Sequence, residues 1–105
     1  MMENGESAPS QKERQKRALE AMTPVLIKEL EPRTIVPTLL ARRALYSNDM
    51  STIYSKASRE ERVRQLLAII QQKHSWWGPL IDSLIRNGQS GLADQLVQIA
   101  NAGEK

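Results

Sequence analysis

The stretch SREERVRQLLAIIQQKHSWWGPLIDSLIRNGQSGLADQLV, residues 58–97, spells three amphipathic helices joined by very short connectors. Ser58 and Glu61 have the spacing of a capping box, in which hydroxyl and carboxylate each satisfy an otherwise orphan amide at a helix start. The helix they open turns Val63, Leu66, Leu67 and Ile70 to one side and ends near Lys73. The next lies between Ser75 and Asn87, with Leu80, Ile81, Leu84 and Ile85 as its apolar residues and Gly88 as a left-handed stop. Its start is open, because Gly78-Pro79 can itself be the cap and first position. The last covers 90–101, with Leu92, Leu96, Val97 and Ile99 apolar.

Upstream, three more helices are spelled. From Gln11 the composition becomes helix-forming, and Leu19, Met22, Leu26, Ile27 and Leu30 recur at three-and-four spacing. Pro24 interrupts that stripe, so the first helix is expected to kink or restart there with Thr23 as a new cap. Glu31-Pro32 ends it. Thr34 then caps a short second helix whose Ile35, Val36, Leu39 and Leu40 face inward, with Pro37 tolerated in its first turn. Ser47-Asn48-Asp49 signals a third start, ahead of Met50, Ile53 and Tyr54 on a helix of two turns. Six short helices without a credible strand predict an all-α bundle over 11–101, flanked by a disordered polar tail at 1–10 and a short tail at 102–105.

Length and composition bound the chemistry. A chain of 105 residues supports one modest core. Folding removes roughly 60–65% of such a chain's surface from water and leaves a net stability on the order of 5–10 kcal/mol. Cysteine is absent, which rules out disulfides, a thiolate nucleophile and cysteine metal sites, and suits the cytosol. No run approaches the roughly eighteen apolar residues that cross a bilayer, and the first ten residues lack the pattern of a secretion signal. With His74 the only histidine, neither a catalytic triad nor a histidine metal cluster can be built. Glu60-Glu61 are helix neighbours that point apart, and no phosphate-cradling glycine loop appears. The chain is therefore read as a non-enzyme that needs no cofactor, metal or small-molecule substrate.

The formal charge is +3, but it is unevenly spread. Between Thr34 and Lys73 stand Arg42, Arg43, Lys56, Arg59, Arg62, Arg64 and Lys73 against Asp49, Glu60 and Glu61, while the flanking segments nearly cancel. Such a basic area is a solvated face, a surface for an acidic protein, or a nucleic-acid site. The nucleic-acid reading predicts a small basic helical DNA- or RNA-binding domain. Against it, the arginines straddle at least two helices and no recognition helix dense in Arg, Asn and Gln appears.

Six helices in this order resemble the death-fold superfamily, and the caspase recruitment branch fits best, over about Leu19 to Val97. The resemblance is carried by LIKELEP at the end of the first helix, TLLARRALYSND, SREERVRQLL, and GQSGLADQL from Gly88. KHSWWGPLIDSLIRNGQSGLADQL looks most like the modules of RIG-I-like viral-RNA receptors and their mitochondrial antiviral adaptor, whereas the opening of the fourth helix looks equally like initiator caspases. The resemblance implies a six-helix death-fold Greek key with no chemistry of its own. It implies docking onto other caspase recruitment domains, a second copy of this chain among them, in apoptotic or innate-immune signalling, without nucleic acid or membrane. In similar modules a basic face from the first and fourth helices meets an acidic face on the second and third.

The candidate partner-binding residues are Arg42, Arg43, Asp49, Arg59, Arg62, Arg64, Trp76 and Arg86. Arg59 and Arg62 are three apart and share a helix face, whereas Arg64 points elsewhere. Reversing Arg59 or Arg62 to glutamate is expected to abolish co-assembly without unfolding. The second and third helices depart from the family pattern, since Asp49 is their only acid. Acids elsewhere are Glu29, Glu31, Glu60, Glu61, Asp82 and Asp94. Adjacent Trp76 and Trp77 diverge by about 100° on a helix. Trp77 precedes Leu80, Ile81 and Leu84 on the buried stripe, which leaves Trp76 at the rim as an interface anchor or as packing at the edge of the core.

Overall fold

The computed structural model describes residues 10–102; most of the expected tails, 1–9 and 103–105, lies outside them. Helix α1 (Gln11–Glu29) opens on a capping box that the apolar pattern does not announce. Ser10 Oγ accepts from the Glu13 amide at 3.2 Å, and Glu13 Oε1 accepts from the Ser10 amide at 3.2 Å. The helix does not restart at Pro24. It runs through as one element, and Thr23, instead of capping, donates its hydroxyl to the Leu19 carbonyl at 2.9 Å.

Helix α2 (Pro32–Ala41) starts three residues earlier than a cap at Thr34 would allow. Pro32 takes the first position, where its fixed φ is already helical and its missing amide is not needed. Thr34 donates its hydroxyl back to the Glu31 carbonyl, and Pro37 falls one turn deeper than expected, on the exposed side. Helix α3 (Ser47–Tyr54) has Tyr46 as its cap residue, so Asp49 occupies the third helical position and accepts from the Tyr46 amide at 2.9 Å. Helix α4 (Arg59–Ile70) has the expected Ser58–Glu61 box, with bonds of 3.1 and 3.3 Å, and closes three residues before Lys73.

Helix α5 (Trp77–Arg86) takes Pro79 in its first turn. It ends with Gly88 at φ +82°, while the Gln89 amide bonds back to the Leu84 carbonyl at 2.8 Å. Helix α6 (Ser90–Ala102) completes six helices, with no strand among the described residues.

The first and last helices lie side by side. α1 packs on α6 and α4, α5 on α6 and α2, and α4 also covers α2 and α3. Every helix sends large side chains to one core: Leu19 and Leu26, Ile35 and Leu39, Ile53, Leu66 and Ile70, Leu80 and Leu84, and Leu96 are all fully buried. Burying each contributes about 1.5–3 kcal/mol. Three residues of the expected apolar stripes face out instead. Ile85 is 52% exposed, Ile99 39% and Tyr54 36%. On α6 the inward stripe is Leu92, Ala93, Leu96 and Ala100, which turns Ile99 outward by helix geometry.

Candidate functional site

A helix leaves its last carbonyls without amide partners, and at the end of α1 most of them are finished from a distance. Arg59, the first residue of α4, donates Nη1 to the Ile27 carbonyl at 2.7 Å and Nη2 to the Lys28 and Leu30 carbonyls at 2.7 and 2.6 Å. Gln89, in the α5–α6 turn, donates to the Glu29 carbonyl at 2.6 Å and accepts from the Glu31 amide at 3.2 Å. The corner between α1 and α2 is thus clasped by two side chains from elsewhere in the fold. Arg59 lies beside Arg62, as their spacing predicts, but its guanidinium is turned onto backbone.

Arg62 sits over the clasp. It lines a groove of about 220 Å³ with Glu31, Pro32, Arg33, Tyr54 and Arg59, and its Nε braces the Lys56 carbonyl at 3.0 Å. Arg64 lies around the helix in a separate hollow with Lys56, Glu61 and Gln65, and has no ion pair or hydrogen bond among the described residues. Arg33, Lys56, Arg62 and Arg64 therefore make a basic face across the start of α4, with Glu31 and Glu61 at its edges. Sequence spacing brings Arg62 and Arg64 to attention but not Arg33 and Tyr54, which only the packing of α2 and α3 beside α4 delivers.

Arg42 and Arg86 belong together on another side. Both meet the same carboxylate oxygen of Asp82, at 2.6 and 2.7 Å, joining the end of α2 to α5. Beside them Asn87 donates to Thr38 Oγ1 at 2.9 Å and to the Ser83 carbonyl at 2.7 Å. Arg43 is exposed and left-handed, with φ +62°.

Asp49 faces inward. It is 8% exposed, and its carboxylate takes the Tyr46 amide and the Lys73 ammonium, the latter at 2.8 Å. Lys73 Nζ also lies 5.0 Å from the Tyr46 ring centre. Burial pushes the Asp49 carboxyl up, but the hydrogen bond from Lys73, the Tyr46 amide and the ammonium charge outweigh it and hold the group below its ordinary range. The single acid of α2 and α3 is thus engaged in tying α3 to the end of α4.

Trp76 is the cap residue of α5 and Trp77 its first, so neither enters the core fully. Both are half-buried against its edge, edge-to-face with ring centres 5.6 Å apart at 81°. His74 is exposed. Among the described residues no three His, Cys, Asp or Glu side chains could hold a metal, and no helix is long and apolar enough to cross a membrane. These surfaces can grip a partner through charge and contact.

The comparisons agree with that architecture. The sequence profile of the caspase recruitment domain matches residues 16–98. Cell death protein 4 of Caenorhabditis elegans is 41% identical over 81 residues, covering 76% of this chain and 15% of that protein. The chain thus spans well under a fifth of the curated relative it matches. No solved structure matches. The chain belongs to the caspase recruitment domain family, and as such it is a non-catalytic module for homotypic protein–protein interaction.

Proposed function

We propose that the chain docks onto other caspase recruitment domains through the basic face at the start of α4, with Arg62 and Arg64 as its principal contacts. The observation that carries this is Arg64. It is an exposed cation without an internal partner among the described residues, in a hollow with Lys56 around the first turns of α4 from the groove that holds Arg62 and Arg33. Guanidinium groups so placed offer directional bonds to carboxylates of a neighbouring module. Arg59 belongs to the same face but acts beneath it, holding the α1–α2 corner in position. Arg43 extends the basic surface beyond α2, and Arg42 and Arg86 form a second, partly neutralised patch around Asp82.

Because Asp49 is buried in its pair with Lys73, α2 and α3 offer little acid to a second copy, and a more acidic domain is the better complement. Contacts between unlike faces do not close on themselves, so they build open helical assemblies that sharpen with concentration and weaken with salt. The likeness to Cell death protein 4 supports a place in apoptotic signalling. The resemblance of the tryptophan region to antiviral receptor modules, and of SREERVRQLL to initiator caspases, keeps those relatives as candidate partners. The cysteine-free composition supports a cytosolic site of action.

Arg64→Glu is the cleanest test, since it breaks no internal bond. Co-sedimentation and negative-stain imaging should show assembly lost in Arg64→Glu and Arg62→Glu, with the circular dichroism spectrum unchanged. Full assembly by both folded variants would remove the basic face from the mechanism.

A further inference from the structure

The opposite end of the bundle carries a second concave surface. A groove of about 670 Å³ runs between the first turns of α1 and the α4–α5 connection, lined by Lys12, Lys16, Lys73, Trp76 and Trp77 among others, with no aspartate or glutamate in its lining. Lys12 and Lys16 are four apart on one helix face, exposed, and without an ion pair among the described residues. Like charges so spaced repel by a few tenths of a kcal/mol, a penalty that an anionic partner relieves.

The third lysine is held in place. The bond from Lys73 to Asp49 fixes its side chain and neutralises part of its charge, so Lys12 and Lys16 supply most of the field in the groove. The two tryptophans are pinned by their contact with the core and with each other, so they can bury an apolar side chain with little loss of rotamer freedom. At the same wall α5 begins without a side-chain cap on its first amides, which adds a favourable field for a carboxylate.

We propose that this groove is a docking site for an acidic linear segment of a partner protein, one that pairs glutamates or aspartates with Lys12 and Lys16 and lays an apolar side chain against Trp76 and Trp77. Charge complementarity names the acidic occupant, and the concave shape between a helix and a connection favours a narrow segment over a second bundle. Nucleic acid fits less well. The edge-to-face, half-buried rings offer no pair of parallel faces for successive bases, and two uncompensated lysines fall short of the roughly 6–10 phosphate contacts behind strong binding. The groove lies beyond the last turn of α4, whereas Arg62 sits in its first. From Arg62 to the end of the helix at Ile70 is about 12 Å, and the two grooves share no lining residue, so both surfaces can be occupied together.

The chain's two tryptophans both line the groove, so intrinsic fluorescence reports on it directly. Titrating the full chain with a tryptophan-free synthetic peptide of alternating glutamate and leucine should give a saturable change in emission that weakens with salt. Lys16→Glu should weaken binding about tenfold, while Lys28→Glu, the same charge change at the far end of α1, should leave it within about twofold. The proposal is overturned by no saturable change with the peptide or by equal losses in the two variants. Tighter binding of a single-stranded oligonucleotide than of the peptide would overturn it as well.

Discussion

Helices α1 and α2 both leave their last carbonyls to be satisfied by something other than a polar side chain of their own, and they resolve it in opposite ways. At the end of α1 the donors are Arg59 and Gln89, which lie about 30 and 60 residues further along the chain. At the end of α2 the closure is local. The Ala44 amide bonds to the Leu39 carbonyl at 2.9 Å and the Arg43 amide to the Leu40 carbonyl at 3.0 Å, which drives Arg43 into the left-handed region. One arginine is thereby folded back onto the backbone of the α1–α2 corner while still partly exposed, and the other is turned out to solvent. A count of basic residues along a segment is therefore a poor measure of the charge that a partner meets.

The sharpest way to break this contrast is Arg59→Ala. Three carbonyls lose a charge-assisted donor, and we expect a loss of about 2–3 kcal/mol by urea denaturation. Arg59→Lys should restore less than half, because an ammonium lacks the fork that reaches three acceptors at once. If Arg59→Ala is as stable as the parent chain, the corner is held by packing alone. The expectation that Arg59→Glu spares the fold is revised accordingly, since it sets a carboxylate against the same carbonyls.

Asp49→Asn comes next, at about 1–2 kcal/mol, because Lys73 then stays half-buried without its counter-charge. The pH dependence has a definite sign. The folded carboxyl lies below its ordinary value, so its stabilisation is fully present above about pH 4. It is lost as pH falls through the lower folded value. Denaturation at neutral pH and near pH 3 should show the two chains converging in acid; a constant gap would mean the pair is not what Asp49 contributes.

Much of the fold was legible because its signals are local. The Ser58–Glu61 box, the Gly88 stop and the three-and-four stripes of α4 and α5 each depend on neighbours a turn away. Ser10 and Glu13 have the same box spacing but lie in a polar run that reaches Arg17, where no apolar stripe marks a helix. Proline misplaced two helix starts. Pro24 is absorbed within a helix packed on α6 and α4, whereas Pro32 opens α2 two residues ahead of the threonine that looks like its cap. The surfaces were less legible. That Arg59 turns onto the backbone of α1, that Asp49 is buried, and that Lys12 and Trp76 line one groove follow from contacts between segments far apart in sequence, which spacing along one helix does not encode.

Gln89→Ala tests the weaker half of the α1 clasp. It removes one donor and one acceptor at a partly exposed corner, and we expect a loss of about 1 kcal/mol, less than for Arg59. The smallest effect, and the most informative in sign, is at Arg43. A non-glycine residue in the left-handed region is strained by about 1–2 kcal/mol, and glycine offsets part of that relief through its greater freedom in the unfolded chain. Since Arg43 is exposed and its side chain makes no internal bond among the described residues, Arg43→Gly should stabilise the domain by a few tenths to about 1 kcal/mol. Should docking onto partner domains weaken while stability rises, the arginine is retained at a strained position for its outward charge. A fall in stability would instead mean that its side chain holds the α2–α3 turn, and the contrast between the two helix ends would no longer separate an arginine bonded to backbone from one left to solvent.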